Sequence, residues 1–295
     1  MRLGGEDPSS NFEDRTGQSG GFGGLGGGGG NLLGCLLPLV LSRFGIVGVV
    51  ILLLGYCALT QFGGGGGLLP SSGPPTNAPS AASRLDPKMK DFLTRVLGST
   101  EQTWGEIFAK QGQRYTPTVM VAYTGGTQTQ CGVGQAAMGP FYCPNDQRIY
   151  IDPSFFNELS QRFGAPGDFA MAYVIAHEVG HHIQDLQGSL GQAHELQARA
   201  SEKEGNAIQV KVELQADCYA GVWAANARDA NGSILEAGDV EEGMRAAEAI
   251  GDDTLQRQSQ GVAVPDSFTH GTSAERMNAL RTGMQGGTLE ACKNL

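Results

Sequence analysis

Apolar and polar positions divide the chain into stretches that predict different structures. Residues 1–31 are polar and rich in glycine, with too little apolar surface to fold, and are predicted to be disordered. Residues 32–62 are strongly apolar and predict a membrane anchor, whose core at 44–62 carries no charge. Residues 63–86 have the Gly, Pro, Ser and Ala composition of a flexible linker. From residue 87 to 295, apolar residues recur at helix and strand spacings, which predicts one folded domain.

The uncharged segment 44–62 is long enough to span a membrane. Its nineteen residues extend about 28 Å as a helix, close to the roughly 30 Å of a hydrocarbon core. A cleaved signal peptide is the alternative, but its apolar region normally lies close to a basic start. Arg43 precedes the segment, and the first basic residue after it is Arg84. The positive-inside tendency predicts a single-pass inner-membrane protein with a cytoplasmic N-terminus and a domain facing the periplasm or exterior.

The domain pattern predicts an α+β fold that is mostly helical, with a small β-sheet. Alternating and β-branched residues predict strands at 117–123 and 148–152. Helical spacing predicts a helix that starts near residue 168, and two further helices at about 236–258 and 273–284. The strand at 148–152 is a candidate edge to which an extended peptide adds by main-chain hydrogen bonding, although a core strand has the same pattern.

Charge and cysteine content limit the partners and the compartment. The chain has 20 Lys+Arg against 30 Asp+Glu and a formal net charge of -10, which argues against a nucleic-acid partner. None of the six cysteines forms a Cys-x-x-Cys pair, so a thiolate zinc site is not expected. In a domain outside the cytosol, four of these cysteines could form two disulfides, with three possible connectivities: Cys131, Cys143, Cys218 and Cys292. We favour Cys131 with Cys143, because both lie in one Gly-rich region. Buried free thiols are the alternative, more so for Cys218 and Cys292.

One stretch of the domain carries a metal-binding pattern, His177-Glu178-x-x-His181. Histidines four apart stand on one helical face, roughly 6 Å from each other, and Glu178 lies beside the open position of a shared ion. A catalytic zinc usually takes three protein ligands. A third histidine at metzincin spacing is excluded, because Gln187 stands there. His182 is rotated about 100° from His181 and is expected to point elsewhere.

An acidic pair contains the better candidate for the third ligand. Glu213 and Asp217 are four apart on one face of a predicted helix, one helical connection after the histidines. Glu213 would complete a site for one zinc ion per chain, and Asp217 would hydrogen-bond the free imidazole nitrogen of a ligand. A solvated acidic face is the alternative for such a pair taken alone. Its position after the histidine motif favours the ligand interpretation.

Histidine motif and acidic pair together resemble the gluzincin peptidases, and in particular the membrane-associated zinc proteases that include the CAAX-processing enzymes. Residues 268–276 are similar to the Thr-His-Pro-Pro segment of those proteases, with His270 and Arg276 in place and Gly271 instead of a proline. Over roughly residues 85–290 the chain is similar to the neutral zinc metallopeptidase family. The segments that add to this similarity are Gly139-Pro140-Phe141-Tyr142-Cys143-Pro144 and Ile149-Tyr150-Ile151-Asp152.

The resemblance implies a zincin-like metallopeptidase domain that hydrolyses a peptide or protein substrate with a zinc-activated water. It implies Glu178 as the general base and His270 as a catalytic residue that stabilises the developing oxyanion. Arg276 would pair with Asp217 or otherwise brace the site. Lesser candidates for a role in the site are Tyr219 and His194.

Two other functions stay open at this point. One is a zinc-stabilised binding or scaffold domain of the cell envelope without catalysis, and the other is a chance motif that binds no metal. Glu178 discriminates against the scaffold, because it is not a ligand and a purely structural site does not need it. The cysteines are also poorly placed to close the fourth position of a structural zinc site.

Overall fold

The computed structural model describes residues 1–18 and 83–295, which belong to one compact unit. The predicted anchor at 32–62, with its core at 44–62, lies outside the described residues. So does most of the predicted linker, up to residue 82. Among the described residues, no helix combines the length and apolarity that a membrane crossing requires.

The described part of the chain is α+β and mostly helical, as predicted. The helices are α1 (Pro87–Lys110), α2 (Ser154–Gln161), α3 (Asp168–Gln187), α4 (Ser189–Gln197), α5 (Glu202–Asn226), α6 (Asp239–Ala249), α7 (Asp252–Gln260) and α8 (Ser273–Gly286). The strands are β1 (Phe12–Asp14), β2 (Val119–Ala122), β3 (Gly126–Thr129), β4 (Gly132–Gln135), β5 (Phe141–Cys143), β6 (Arg148–Ile151), β7 (Arg228–Asp229) and β8 (Gly232–Ser233). The helix predicted at about 236–258 is in fact two helices, α6 and α7, which are separated at Gly251.

Local sequence sets the start of three long helices. The Asp86 side chain accepts hydrogen bonds from the first backbone N–H groups of α1, which has Pro87 in its first turn. Ser201 and Glu204 form a capping box at the start of α5. Thr272 and Glu275 form a second capping box at the start of α8. These helices therefore begin where side chains satisfy N–H groups that no helical carbonyl reaches.

A four-stranded sheet with the order β1-β2-β6-β5 packs beside the helices. β2 is parallel to both β1 and β6, whereas β5 is antiparallel to β6. The expectation that 148–152 forms an edge strand is wrong, because β6 is hydrogen-bonded on both sides. The edge strand on that side of the sheet is β5, a three-residue strand too short to show an alternating pattern.

Residues 1–18 correct the prediction that 1–31 are disordered; residues 19–31 lie outside the described part. β1 pairs in parallel with β2, so that Phe12 lies opposite Met120. Phe12 also packs against the main hydrophobic core, and Thr16 is 2% exposed. This polar segment has no core of its own. It is ordered because its backbone N–H and C=O groups form hydrogen bonds with the edge of β2. A prediction from composition does not take such pairing into account.

Helix α3 lies at the centre of the helical layer and contacts α1, α5 and α6. Its predicted core face is confirmed, since the residues at helical spacing are buried: Phe169, Tyr173, Ala176, Gly180 and Ile183. At its start, the Phe169 ring stacks on Trp223 of α5, with centroids 5.9 Å apart. These contacts fix how α3 faces α5, and the two helices carry the predicted ligands.

Helices α5 and α8 approach closely through two glycines. A Cβ at Gly221 would collide with the Leu280 carbonyl oxygen, and a Cβ at Gly283 would collide with that of Cys218. Two disulfides add covalent links, Cys131–Cys143 between the β3–β4 turn and β5, and Cys218–Cys292 between α5 and the C-terminal segment. The favoured Cys131–Cys143 pairing is thus present, together with the pairing of the other two cysteines.

We expect Gly221→Ala to lower the free energy of unfolding by about 1–3 kcal/mol, because α8 must move away from the added methyl group. Gly205→Ala is the matched control in the same helix, since a Cβ there meets open space. It is expected to stabilise by about 0.4–1 kcal/mol. Denaturant unfolding of both variants with intact disulfides measures the difference. Equal effects at the two positions would contradict the close approach.

Candidate metal centre

Two histidines of α3 face the acidic pair of α5. The Nε2 atom of His177 lies 3.1 Å from Oε2 of Glu213, and Nε2 of His181 lies 3.5 Å from the same oxygen. The three ligand atoms are all within 4.8 Å of one another. The structure therefore brings together the three predicted zinc ligands, which are 36 residues apart in the case of His177 and Glu213.

The donor set fits a zinc ion, because both imidazoles are hydrogen-bonded through Nδ1, the nitrogen that faces away from Glu213. Nδ1 of His177 is 2.7 Å from Oδ1 of Asp217, and Nδ1 of His181 is 2.9 Å from Oε1 of Gln184. An imidazole that donates through Nδ1 presents the lone pair of Nε2 to a metal. Two nitrogens and one carboxylate oxygen with an open side are the donors that a catalytic zinc takes.

Gln184 belongs to this arrangement, although the sequence did not single it out. Its amide nitrogen donates to the Val212 carbonyl oxygen at 2.8 Å and to Oε1 of Gln215 at 3.0 Å. Gln184 therefore fixes the His181 ring and ties α3 to α5. Its position three residues after His181 is the signal that could have found it, because helical residues three apart lie on one face.

Asp217 is the centre of a buried polar network. Its carboxylate accepts hydrogen bonds from His177 and, at 2.6 Å, from the Tyr173 hydroxyl. Arg276 of α8 donates two more, from Nε at 2.8 Å and from Nη2 at 2.9 Å. Arg276 also donates from Nη1 to the Ile250 carbonyl oxygen at 3.1 Å. The pairing of Arg276 with Asp217 is the one that the resemblance implied.

This network favours a positive charge between the two histidines. Burial lowers the pKa of His177, but the carboxylates of Asp217 and Glu213 outweigh it and raise that pKa to about 10. Burial opposes the ionisation of Glu213, yet its histidine neighbours hold the pKa of that carboxyl well below its usual range. Glu213 and Asp217 together carry one negative charge more than Arg276 supplies in compensation. A cation at the histidines balances it.

Glu178 lies in the same cleft but makes no part of the ligand cluster. It is 7% exposed, and this burial raises the pKa of its carboxyl group. A buried carboxyl with a raised pKa is suited to accept a proton and release it again. Both glutamates line the cleft, but only Glu213 belongs to the ligand cluster.

The cleft has a volume of about 480 Å³ and is partly apolar. The ligands and Glu178 form one part of its lining, and the segment 136–142, which leads into edge strand β5, forms another. Its apolar lining includes Phe141, Phe155, Phe163, Val174 and Leu190. A bordering strand edge and an apolar wall are features of a site for an extended chain.

His270 reaches the cleft from the loop between α7 and α8. Its side chain is half exposed, and Nδ1 lies 3.0 Å from the Thr269 hydroxyl and 3.3 Å from Oδ1 of Asp252. The other Asp252 oxygen accepts the backbone N–H groups of Thr269, His270 and Gly271, at 2.7, 2.6 and 3.1 Å. Asp252 therefore clamps the loop, and none of the described residues forms a hydrogen bond with Nε2 of His270.

The glycine that departs from the Thr-His-Pro-Pro pattern has a structural reason. Gly271 has a φ of 88°, which a proline ring cannot adopt. A Cβ there would also press on Val210 and Leu214 of α5. The loop thus takes its own conformation and still carries His270 to the cleft. Asp252 gave no sequence signal, because an acidic residue at a helix start is common.

The remaining candidates divide between the cleft and the core. His194 of α4 lines the cleft. Tyr219 does not line the cleft. Its hydroxyl instead donates to Oε1 of Gln187 at 3.0 Å. His182 points elsewhere, as expected: it is buried, with Nδ1 at 3.1 Å from the Tyr142 hydroxyl and Nε2 at 2.7 Å from the Thr116 carbonyl oxygen. Burial lowers the pKa of the His182 imidazole, which favours its neutral form.

We expect Arg276→Met to cost about 3–5 kcal/mol in the free energy of unfolding, because Asp217 then loses the buried guanidinium that pairs with it. The double variant Arg276→Met/Asp217→Asn is the control, since it removes both charges and should lose less. Denaturant unfolding of the metal-free proteins compares the double variant with each single variant, Arg276→Met and Asp217→Asn. A double variant that loses as much as the two single variants combined would contradict the charge argument.

Comparisons with known proteins agree with this geometry. A family described as "Putative neutral zinc metallopeptidase" matches residues 1–295. The chain is 43% identical to the uncharacterized protein YpfJ of Escherichia coli strain K12, over 99% of this chain and 98% of that protein. It is 41% identical to an uncharacterized protein of Mycobacterium tuberculosis strain H37Rv, over 60% of this chain and 62% of that protein. No solved structure matches. The chain therefore belongs to this neutral zinc metallopeptidase family.

Proposed function

We propose that this protein is a zinc-dependent peptidase of the gluzincin type with a zincin-like domain, which hydrolyses peptide bonds in a peptide or protein substrate. One observation carries the proposal: the ligand atoms of His177, His181 and Glu213 lie within 4.8 Å of one another. Glu178, which is not part of that group, lines the same cleft. A non-catalytic zinc scaffold would not need this fourth side chain.

The proposed reaction assigns a task to each side chain. His177, His181 and Glu213 would hold one zinc ion, which when bound acidifies a water molecule and polarises the substrate carbonyl group. Glu178 accepts a proton from the attacking water and delivers it to the leaving amine. Asp217 keeps the His177 ring in position through Nδ1.

His270 is proposed to stabilise the negative charge that develops on the substrate carbonyl oxygen. Within residues 1–18 and 83–295, Thr269 and Asp252 contact only Nδ1, and no side chain hydrogen-bonds Nε2, which is therefore available to the substrate. A donor that is already oriented gains most from the low dielectric of a partly closed cleft. Asp252 acts through His270 and is a positioning residue.

Substrate binding is proposed to use the edge of β5 rather than β6. An extended peptide that adds to this edge would pass the apolar side chains of Phe141 and Phe155, which line the cleft. Main-chain hydrogen bonds at a strand edge bind many sequences. The apolar lining would then favour substrates with large apolar residues near the bond that is cleaved.

The compartment is proposed from the disulfides and the apolar segment. Cys131–Cys143 and Cys218–Cys292 suit a domain on the periplasmic or outer side, where disulfides persist. The apolar stretch 32–62 is proposed to attach the protein to the membrane. A net charge of -10 continues to argue against nucleic acid as a partner.

Glu178→Gln is expected to retain zinc and lose cleavage of a denatured protein, because the amide cannot accept the proton of the attacking water. Glu195→Gln is the matched control, an exposed glutamate on α4, and should cleave like the parent. Zinc content of the full-length chain and the rate of cleavage are measured together. Equal cleavage by the Glu178 variant would exclude its role as the base.

Glu213→Gln tests the ligand set separately. We expect its zinc content to fall, since a neutral amide is a poor zinc ligand and the charge that attracts the cation is lost. The same metal analysis, carried out beside the Glu178 variant, separates the two glutamates. A Glu213 variant with full zinc content and full activity would show that the third ligand lies elsewhere.

His270→Ala is expected to lower kcat by about 10²–10³-fold with little change in KM, because an oxyanion donor acts in the transition state. Asp252→Asn should lower kcat as well. Adding it to His270→Ala should cost little more if Asp252 acts through His270. Asp266→Asn, at an exposed aspartate, is the control. Independent, additive losses from the two substitutions would contradict the positioning role.

A further inference from the structure

Residues 1–18 are built into the folded domain by main-chain hydrogen bonds. The backbone N–H of Met120 donates to the Asn11 carbonyl oxygen at 3.0 Å, and that of Arg15 donates to the Ala122 carbonyl oxygen at 2.7 Å. Three residues of β1 are in register with β2. Without β1, the outer edge of β2 would expose unpaired N–H and C=O groups.

Side chains add specific contacts along the same segment. Ser9 and Asn11 both donate to Oε1 of Glu101 in α1, at 2.7 and 2.9 Å. Glu13 forms an ion pair with Arg148 of β6 at 2.5 Å. Glu6 is only 3% exposed. Main-chain hydrogen bonds, an ion pair and buried side chains thus all connect this segment to the domain.

The two ends of the described chain on either side of residues 19–82 meet at one place. The Ser83 hydroxyl donates to Oδ2 of Asp14 at 2.5 Å. The backbone N–H of Arg84 donates to the Thr16 hydroxyl at 3.0 Å. The chain therefore leaves the folded unit just after β1 and returns to it beside the same strand.

We infer that residues 1–18 lie on the same side of the membrane as residues 83–295, and that this is the oxidising side. A single crossing between them would place β1 and β2 on opposite sides of a hydrocarbon core of roughly 30 Å, whereas strands in a ladder are about 4.8 Å apart. The disulfides Cys131–Cys143 and Cys218–Cys292 identify the side.

This arrangement replaces the single-pass topology with a cytoplasmic N-terminus. The positive-inside tendency depends on the charges on the two sides of 44–62, and contacts between residues that flank the segment do not enter into it. With 1–18 and 83–295 in one unit, the chain between them crosses a membrane an even number of times or not at all. The inference rests on the proposed membrane attachment and is independent of catalysis.

Labelling of single cysteines in the full-length chain tests the inference. Cys35 and Cys57 are replaced by serine, which leaves the four disulfide cysteines in place. Ser10→Cys and Ser259→Cys then mark the two parts, at exposed positions of the described chain. A membrane-impermeant maleimide is applied to intact spheroplasts and, separately, after lysis.

We expect both cysteines to react in intact spheroplasts as fully as after lysis, while a cytoplasmic marker protein reacts only after lysis. Reaction of the Ser259→Cys variant alone before lysis would overturn the inference and restore the single-pass arrangement. Protection of both until lysis would keep them on one side but overturn the oxidising compartment. The readout requires no peptidase activity, so failure of the proposed reaction leaves this result interpretable.

Discussion

The buried carboxylate of Asp217 is the interaction on which the site and the helix packing both depend. A charge with no solvent exposure is tolerated only when it is paired and fully hydrogen-bonded, and here His177, Tyr173 and Arg276 supply the donors. Asp217 lies in α5, and its donors come from α3 and α8. The orientation of a proposed zinc ligand is therefore set by the same contacts that hold three helices together.

The close packing of α5 on α8 brings Arg276 within hydrogen-bonding distance of Asp217. Gly221 and Gly283 remove the side chains that would keep the helices apart, and the Cys218–Cys292 disulfide closes beside Asp217. Arg276 then extends the network to the Ile250 carbonyl oxygen, two residues before Asp252, which clamps the His270 loop. These contacts, together with the backbone from Ile250 to Asp252, connect the candidate ligands to the candidate oxyanion donor, which lines the same cleft.

Sequence alone determined the features that depend on spacing within one element. His177 and His181 share a face because helical residues four apart do so in any context. For the same reason Glu213 and Asp217 lie on one face of α5. Helical spacing also identified the core face of α3. The apolar segment 44–62 follows from its composition, and it lies outside the described residues.

Tertiary structure decided everything that depends on contacts between distant residues. The docking of residues 1–18 on β2, the internal position of β6 and the pairing of Cys218 with Cys292 across 74 residues have no local pattern. Asp252 looks like any acidic residue at a helix start until the loop of His270 closes on it. The physical reason is that hydrogen bonds and ion pairs act between groups a few ångströms apart. Which groups come that close is set by the packing of the whole chain.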